Sequence, residues 1–187
     1  MQTRMAGPDD ADAIARFVVV NWRDAYEGVV ASEFLQGPAA DDREDRWRGR
    51  VGSGRRKVAI AVPRAGPGCG VLPFPSDEVA SSPEPAGIVG LVAWKAHLRL
   101  PPEAPPLELA SLYVKRGWWG SGLGGWLLEF ALRGESAHLW VFEENRRARR
   151  FYEKHGFRPD GRRQLDGRTG VWEYRYVRDR AARELVI

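Results

Sequence analysis

The sequence predicts an α/β or α+β fold built around a mixed sheet. Helical segments precede and follow a central run of strand-like segments, the order that packs helices on the faces of a sheet. A chain of 187 residues fits one domain with a single substantial core. Its content of 43% hydrophobic and 29% charged residues is that of a globular protein.

A short strand over about 2–5 opens the chain. Pro8 stands at a helix-opening position, and Asp9, Asp10 and Asp12 suit the positive end of a helix dipole. Ile14, Phe17, Val18 and then Asn21 or Trp22 continue at helical spacing. "SEFLQ" and "DDREDRWRGRV" read as a second, broken helical region ending near Gly52. "KVAIAV" (57–62) and "GIVGLVAWKA" (87–96) are strands. Between them, a Pro-, Gly- and Ser-rich insert over 63–86 shows neither helical nor strand periodicity and reads as an extended, partly disordered hairpin. "LPPEAPP" leads into the strand "LELASLYV" (107–114). A glycine-rich loop, a helix over about 122–133, a strand "AHLWV" (137–141) and a helix "NRRARRFYEKH" (145–155) follow. Gly156 fits a left-handed helix C-cap, and strands over about 157–163 and 171–178 close the fold. No internal repeat is visible.

Composition narrows the function classes. No apolar run approaches the roughly 20 residues that span a bilayer, and "MQTRMAGPDD" lacks the apolar stretch of a signal peptide. The single Cys69 cannot form an internal disulfide, so a cytoplasmic protein without a membrane partner is expected. The net charge of +4 is the small difference between 29 basic and 25 acidic residues. Clusters such as "RRARR" (146–150) have acids close by ("FEEN", 142–145), so they read as a mixed, solvated surface; no nucleic-acid partner is expected.

"WWGSGLGGWLLEF" (118–130) carries the chemistry. Glycine costs a helix roughly 1 kcal/mol relative to alanine, so four glycines at a helix mouth need another reason. A strand, a glycine turn and a helix bring free backbone N–H groups and the helix dipole onto one anion. A P-loop would need Lys and Ser/Thr after the last glycine, where this chain has Gly125-Trp126. The dinucleotide fingerprint G-x-G-x-x-G fits "GSGLGG" poorly and lacks its early βαβ unit.

"ELASLYVKRGWWGSGLGGWLLEFAL" resembles the acetyl-CoA-binding segment of the GNAT superfamily of N-acetyltransferases, bacterial type. There a strand ending in Val leads through a short loop into Arg/Gln-x-x-Gly-x-Gly/Ala and a helix. Trp119 departs from the family's Arg or Gln. "LWVFEENRRARRFYEKHGF" resembles the second block of that family, through Asn145, Ala148, Tyr152, Gly156 and Phe157. "NWRDAYEGVV" is more loosely similar to a bacterial subgroup. The resemblance implies one GNAT domain over 1–178, with the insert at 63–86 and a tail at 179–187. It also implies a mostly antiparallel central sheet, splayed between its fourth and fifth strands and flanked by helices. The expected activity is direct acetyl transfer from acetyl-CoA, as co-substrate, to a primary amine on a small molecule or peptide, with no metal. The acceptor's identity and a homodimer stay open, as does a GNAT-fold module that binds CoA without catalysis.

Each candidate residue has a plainer reading beside the role that the resemblance implies. Trp119, Gly120, Ser121, Gly122, Leu123, Gly124 and Gly125 would cradle the pyrophosphate through backbone N–H groups, against a merely flexible loop. Leu112, Tyr113 and Val114 are buried strand by pattern; by resemblance their free edge pairs with the pantetheine arm. Asn145 is either an N-cap or a contact to that arm. Tyr152 either packs its helix on the sheet or protonates the departing thiolate. Glu108 is out of character inside a strand: it is either paired with an arginine or the base that takes the amine proton, with burial raising its pKa. Trp22, Tyr26 and Glu27 are weaker candidates for the acceptor pocket. His97, His138 and His155 show no metal-ligand spacing in the sequence and receive no role.

Overall fold

The protein is described by a computed structural model over residues 1–54, 56–63, 87–97 and 104–179. Apart from Pro63 the Pro/Gly-rich insert, with Cys69, lies outside these residues, as does the chain beyond Asp179. Strands β1 (Gln2–Met5), β2 (Lys57–Val62), β3 (Gly90–Ala96), β4 (Leu107–Val114), β5 (Ala137–Phe142), β6 (Arg158–Leu165) and β7 (Trp172–Arg178) form one sheet. Helices α1 (Ala11–Tyr26) and α2 (Pro38–Gly52) precede β2, α3 (Leu123–Leu132) follows β4, and α4 (Arg146–Lys154) follows β5. Single 3-10 turns at Pro8–Asp10 and Ser32–Phe34 account for the polar start before α1 and the break before α2.

The sheet order is β1-β2-β3-β4-β5-β7-β6, with every neighbouring pair antiparallel except β4 and β5. Alternation along β2 shows how the layers form. Val58 and Ile60 face Ile14, Phe17, Val18 and Trp47 of α1 and α2, while Ala59 and Ala61 join the cluster around α3 on the other face. Leu127, Leu128 and Leu132 of α3 are fully buried there, each contributing about 1.5–3 kcal/mol. Gly90 lets α3 approach: a Cβ at that position would stand 2.7 Å from a Leu127 methyl. No helix among the described residues is long and apolar enough to cross a membrane.

β4 and β5 lie parallel but pair only at Leu107–Ala137 and Glu108–His138. The cause sits two residues on. The β3–β4 register passes from Trp94–Leu109 to Ala93–Ser111, leaving Ala110 as an extra residue on β4. Such a bulge bends its strand and sharpens the local twist. Beyond it β4 leaves β5, and the edge from Ser111 to Val114 has no partner strand on that side among the described residues. The splay expected between the fourth and fifth strands is therefore present.

Candidate active site

The split opens into a cavity of about 340 Å³. Leu112, Tyr113 and Val114 of the unpaired edge form one wall, and Arg147, Ala148, Phe151 and Tyr152 of α4 form the opposite one. Gly120, Gly122, Gly124 and Gly125 close one end.

These glycines serve two different needs. Gly120 (φ 80°) and Gly122 (φ 86°) adopt the left-handed conformation with open space where a Cβ would be, so backbone shape is what requires glycine there. Gly122 is the N-cap of α3; Leu123 N donates to Ser121 Oγ at 3.3 Å, and the next first-turn residues, Gly124 and Gly125, line the cavity end with their N–H groups outside the helix ladder. Gly124 and Gly125 are tight for packing reasons: a Cβ would lie 3.1 Å from the Phe151 ring and 2.7 Å from His155 Nε2. An anion at this end would meet those N–H groups, the positive end of the α3 dipole, and the Arg147, Lys154 and His155 side chains on the wall.

Trp119, the departure from the family pattern, has a defined place. Its indole Nε1 donates to the Val114 carbonyl at 2.7 Å, and the Arg147 guanidinium lies 3.4 Å over its ring. The positive charge missing from position 119 is thus supplied from α4 and held by cation–π attraction. Burial lowers the pKa of Arg147, and an anion would offset that desolvation.

Tyr152 faces the same cavity, with its ring edge-on to Phe157 at 5.7 Å and Phe151 at 5.2 Å. Its hydroxyl has no hydrogen-bond partner among the described residues. Burial pushes its pKa well above that of an ordinary tyrosine, so it stays protonated throughout the physiological range.

A second cavity, of about 570 Å³, lies on the other side of Tyr113, which lines both. Trp22 and Tyr26 of α1, residues of α2, Glu108 of β4 and the turn between β6 and β7 enclose it. Tyr26 and Tyr113 share this wall, and burial raises both phenols, Tyr113 to about 12. Glu108 Oε2 lies 3.0 Å from Lys95 Nζ, is hydrogen-bonded to His97 Nε2, and stands 3.9 Å from His138 Nε2. Burial alone would raise this carboxyl. The bonds and charges of His97 and Lys95 outweigh burial and bring its pKa below the usual value. The expectation of a burial-raised base is corrected on that account. His138 Nδ1 donates to the Pro105 carbonyl at 2.7 Å, and burial lowers its pKa, so its Nε2 lone pair faces Glu108.

His97, Glu108 and His138 could ligate a metal by distance, since their donor atoms lie within 4.8 Å of one another. Sequence spacing did not reveal this trio, because three separate strands and their ends supply it. The Lys95 ammonium already balances the carboxylate at the point where a cation would bind, which favours an ion-paired hydrogen-bond network over a metal site.

Several expected residues stand elsewhere. Asn145 is buried as the N-cap of α4, its Oδ1 accepting from Ala148 N at 3.0 Å, and it does not line the cavity. Ser121 bonds back to the Trp118 carbonyl through both Oγ and N–H, and Leu123, buried in the core, donates its N–H to Ser121 Oγ, so both N–H groups are engaged within the loop. Glu27 is exposed at the C-cap of α1, outside both cavities, which removes it from the acceptor pocket. Asn21, Trp118, Arg147, Lys154 and His155 were not expected on the first cavity but line it. Asn21, a polar residue on the apolar stripe of α1, carried a readable signal; Arg147 was hidden within an arginine run.

Residues 79–159 match the acetyltransferase (GNAT) domain model. A Mycobacterium tuberculosis protein described as a probable N-acetyltransferase is 37% identical over 70 residues. That match spans 36% of this chain and 37% of the relative. The PaiA N-acetyltransferase of Thermoplasma acidophilum, solved in complex with coenzyme A, superposes with a TM-score of 0.62 at 16% identity, covering 94% of this chain and 98% of that one. The spermidine N-acetyltransferase SpeG of Vibrio cholerae superposes with a TM-score of 0.55 at 13% identity, covering 96% and 95%. The split strand pair, the glycine turn at the head of α3 and these likenesses agree: residues 79–159, which hold the glycine turn and α4, match the GNAT acetyltransferase domain, and the chain shares the fold of solved acetyltransferases.

Proposed function

We propose that this protein transfers the acetyl group of acetyl-CoA to a primary amine by direct attack. One observation carries the reading: two cavities meet at Tyr113 beside the unpaired edge of β4. In this reading the pyrophosphate lies on the loop 119–124, at the N–H groups of Gly120, Gly122 and Gly124, with Arg147 and Lys154 adding charge. Those of Trp119, Ser121 and Leu123 are engaged within the loop. The pantetheine arm pairs along 112–114 as an added strand, and the thioester comes to Tyr113. The amine enters through the second cavity.

An ammonium with pKa about 10.4 must lose a proton before it can attack. Glu108, with its lowered pKa, is a weak base for that step, so we assign its Oε1, the oxygen opposite the one held by Lys95 and His97, the task of holding the ammonium. The proton leaves by way of the His97 imidazole, which is hydrogen-bonded to Glu108. Amine nitrogen then bonds to the carbonyl carbon, β4 N–H groups polarise the carbonyl oxygen, and the C–S bond breaks. The Tyr152 hydroxyl donates to the departing sulfur.

Thiol release from acetyl-CoA, followed over a panel of primary amines with the N-acetylated product identified by mass, tests this reading. Turnover above the amine-free rate is expected, and Tyr152→Phe should lower it by about ten- to a hundredfold with CoA affinity nearly kept. CoA binding without consumption of any amine would instead mark a non-catalytic CoA-binding module.

A further inference from the structure

The second cavity is built with more positive charge than its own carboxylates use. Arg43, Arg46 and Arg50 follow one another at helical spacing on one face of α2, and Arg56 and Arg168 join them on the cavity wall. Arg43 is the best fixed. It is only 8% exposed, its Nη2 donates to the Phe34 carbonyl at 2.8 Å, and its guanidinium stacks on Trp22 at 3.7 Å. Its Nη1 is buried with no hydrogen-bond partner among the described residues. Arg46 pairs with Asp42 through Nη1, yet its Nε is also buried and unpartnered there. Arg50, Arg56 and Arg168 form no ion pair among the described residues.

The four carboxylates on the same walls are engaged elsewhere. Asp42 holds Arg46, and Glu108 is bound by Lys95 and His97. Asp166 closes its own turn by accepting from the backbone of Arg168 and from Thr169. Glu173 accepts from Gln164, and burial raises its pKa towards the neutral form. Burial, reinforced by Arg56, Arg168 and Arg46, lowers the pKa of Arg50 to about 10. Desolvated guanidinium groups with free donors, as at Arg43 and Arg46, destabilise a fold unless an anion arrives to meet them, and Arg168 adds an exposed guanidinium on the same wall. Guanidinium is also the group whose forked donors match carboxylate and phosphate oxygens in pairs.

We propose that the acceptor is an amine that also carries an anionic group, a carboxylate or a phosphate, gripped by Arg43, Arg46, Arg50 and Arg168 while its amino end stands at Glu108. This rests on the acetyl-transfer reading and narrows its substrate class. The cavity volume of about 570 Å³ suits a small molecule. The reaction joins the amino nitrogen to the acetyl carbon and breaks the C–S bond. Of the two protons that leave the ammonium nitrogen, one goes to solvent before attack and one replaces the proton that Tyr152 gives to the departing sulfur. The anion stays unchanged and serves only for binding. A polyamine would place further cations against five guanidinium groups and is disfavoured.

Matched acceptors that differ only in the anion test this: glycine against glycinamide, and O-phosphoethanolamine against ethanolamine, with spermidine as the polycation. The anionic member of at least one pair should be acetylated with a kcat/KM about thirtyfold or more above its neutral mate. The glycine pair reports on carboxylate recognition and the ethanolamine pair on phosphate. Arg50→Gln and Arg168→Gln, both checked for native circular dichroism, should each reduce that ratio roughly tenfold through KM, with kcat and CoA affinity kept. Binding is measured independently of turnover by calorimetry with inorganic phosphate and with N-acetylglycine in the presence of CoA. At least one should bind wild type and bind each variant roughly tenfold more weakly. Anion binding without acetyl transfer would sink the enzymatic reading and leave the arginine site standing. Preference for the neutral members or spermidine, or variants that leave both ratio and binding unchanged, would overturn the proposal.

Discussion

Glu108 lies between the Lys95 ammonium and two imidazoles, so removing its charge touches catalysis and stability separately. In Glu108→Gln the side chain keeps its shape but no longer holds the substrate ammonium. Turnover should be most impaired near neutral pH and approach wild type as pH nears the amine's own pKa of about 10.4. A purely structural role predicts a pH–rate profile parallel to wild type. Stability follows its own course. The folded-state pKa of this carboxyl is depressed, so its pairing stabilises the protein above the ordinary value and is lost as pH falls through the lowered one. The variant's Tm deficit at pH 7 should therefore shrink as pH falls below about 4. Glu108 was visible in the sequence because a carboxylate interrupts an apolar strand. His97 and His138 were not, because they meet it only through β3–β4 and β4–β5 register. Asn145 fitted two roles by residue type alone, and the structure has its Oδ1 accepting from Ala148 N as the N-cap of α4.

Each main element of the described chain was legible from periodicity, with boundaries shifted by up to three residues where polar turns flank a strand. β3 is the largest such shift: it begins at Gly90 rather than at 87, because Ile88 and Val89 are buried before the strand ladder starts. The bulge at Ala110 left no mark in "LELASLYV", and the splay of β4 from β5 was expected through family likeness alone. The contact between α3 and α4 was equally hidden, since nothing in the sequence separates a glycine needed for φ from one needed for closeness. Gly124 belongs to the second kind and provides the test at this scale. Gly124→Val places methyl groups where a Cβ is already 3.1 Å from Phe151. Overpacking of that kind costs about 1–3 kcal/mol, which for a chain of this size lowers Tm by roughly 2–12 °C. CoA affinity should fall as well, because Phe151 is part of the cavity wall. An unchanged Tm and unchanged CoA affinity would show that α4 yields freely and that the close approach is unimportant.

Across the whole molecule, the sheet separates two apolar layers and its split joins two cavities of opposite character. One is walled largely by glycine backbone and aromatic rings, the other by arginines and carboxylates. The account stands or falls on the first of these holding CoA. A calorimetric titration of CoA into wild type and Gly122→Asp, with NAD as the control ligand, tests it most directly. Asp at this position adds a Cβ to a backbone at φ 86° and a negative charge at the head of α3. Wild type should bind CoA with a Kd of about 1 mM or tighter, within the ordinary range for enzyme substrates. Gly122→Asp should bind at least roughly tenfold more weakly, and NAD should give no binding heat. Binding of NAD in preference to CoA, or equal CoA affinity in the two proteins, would contradict the account.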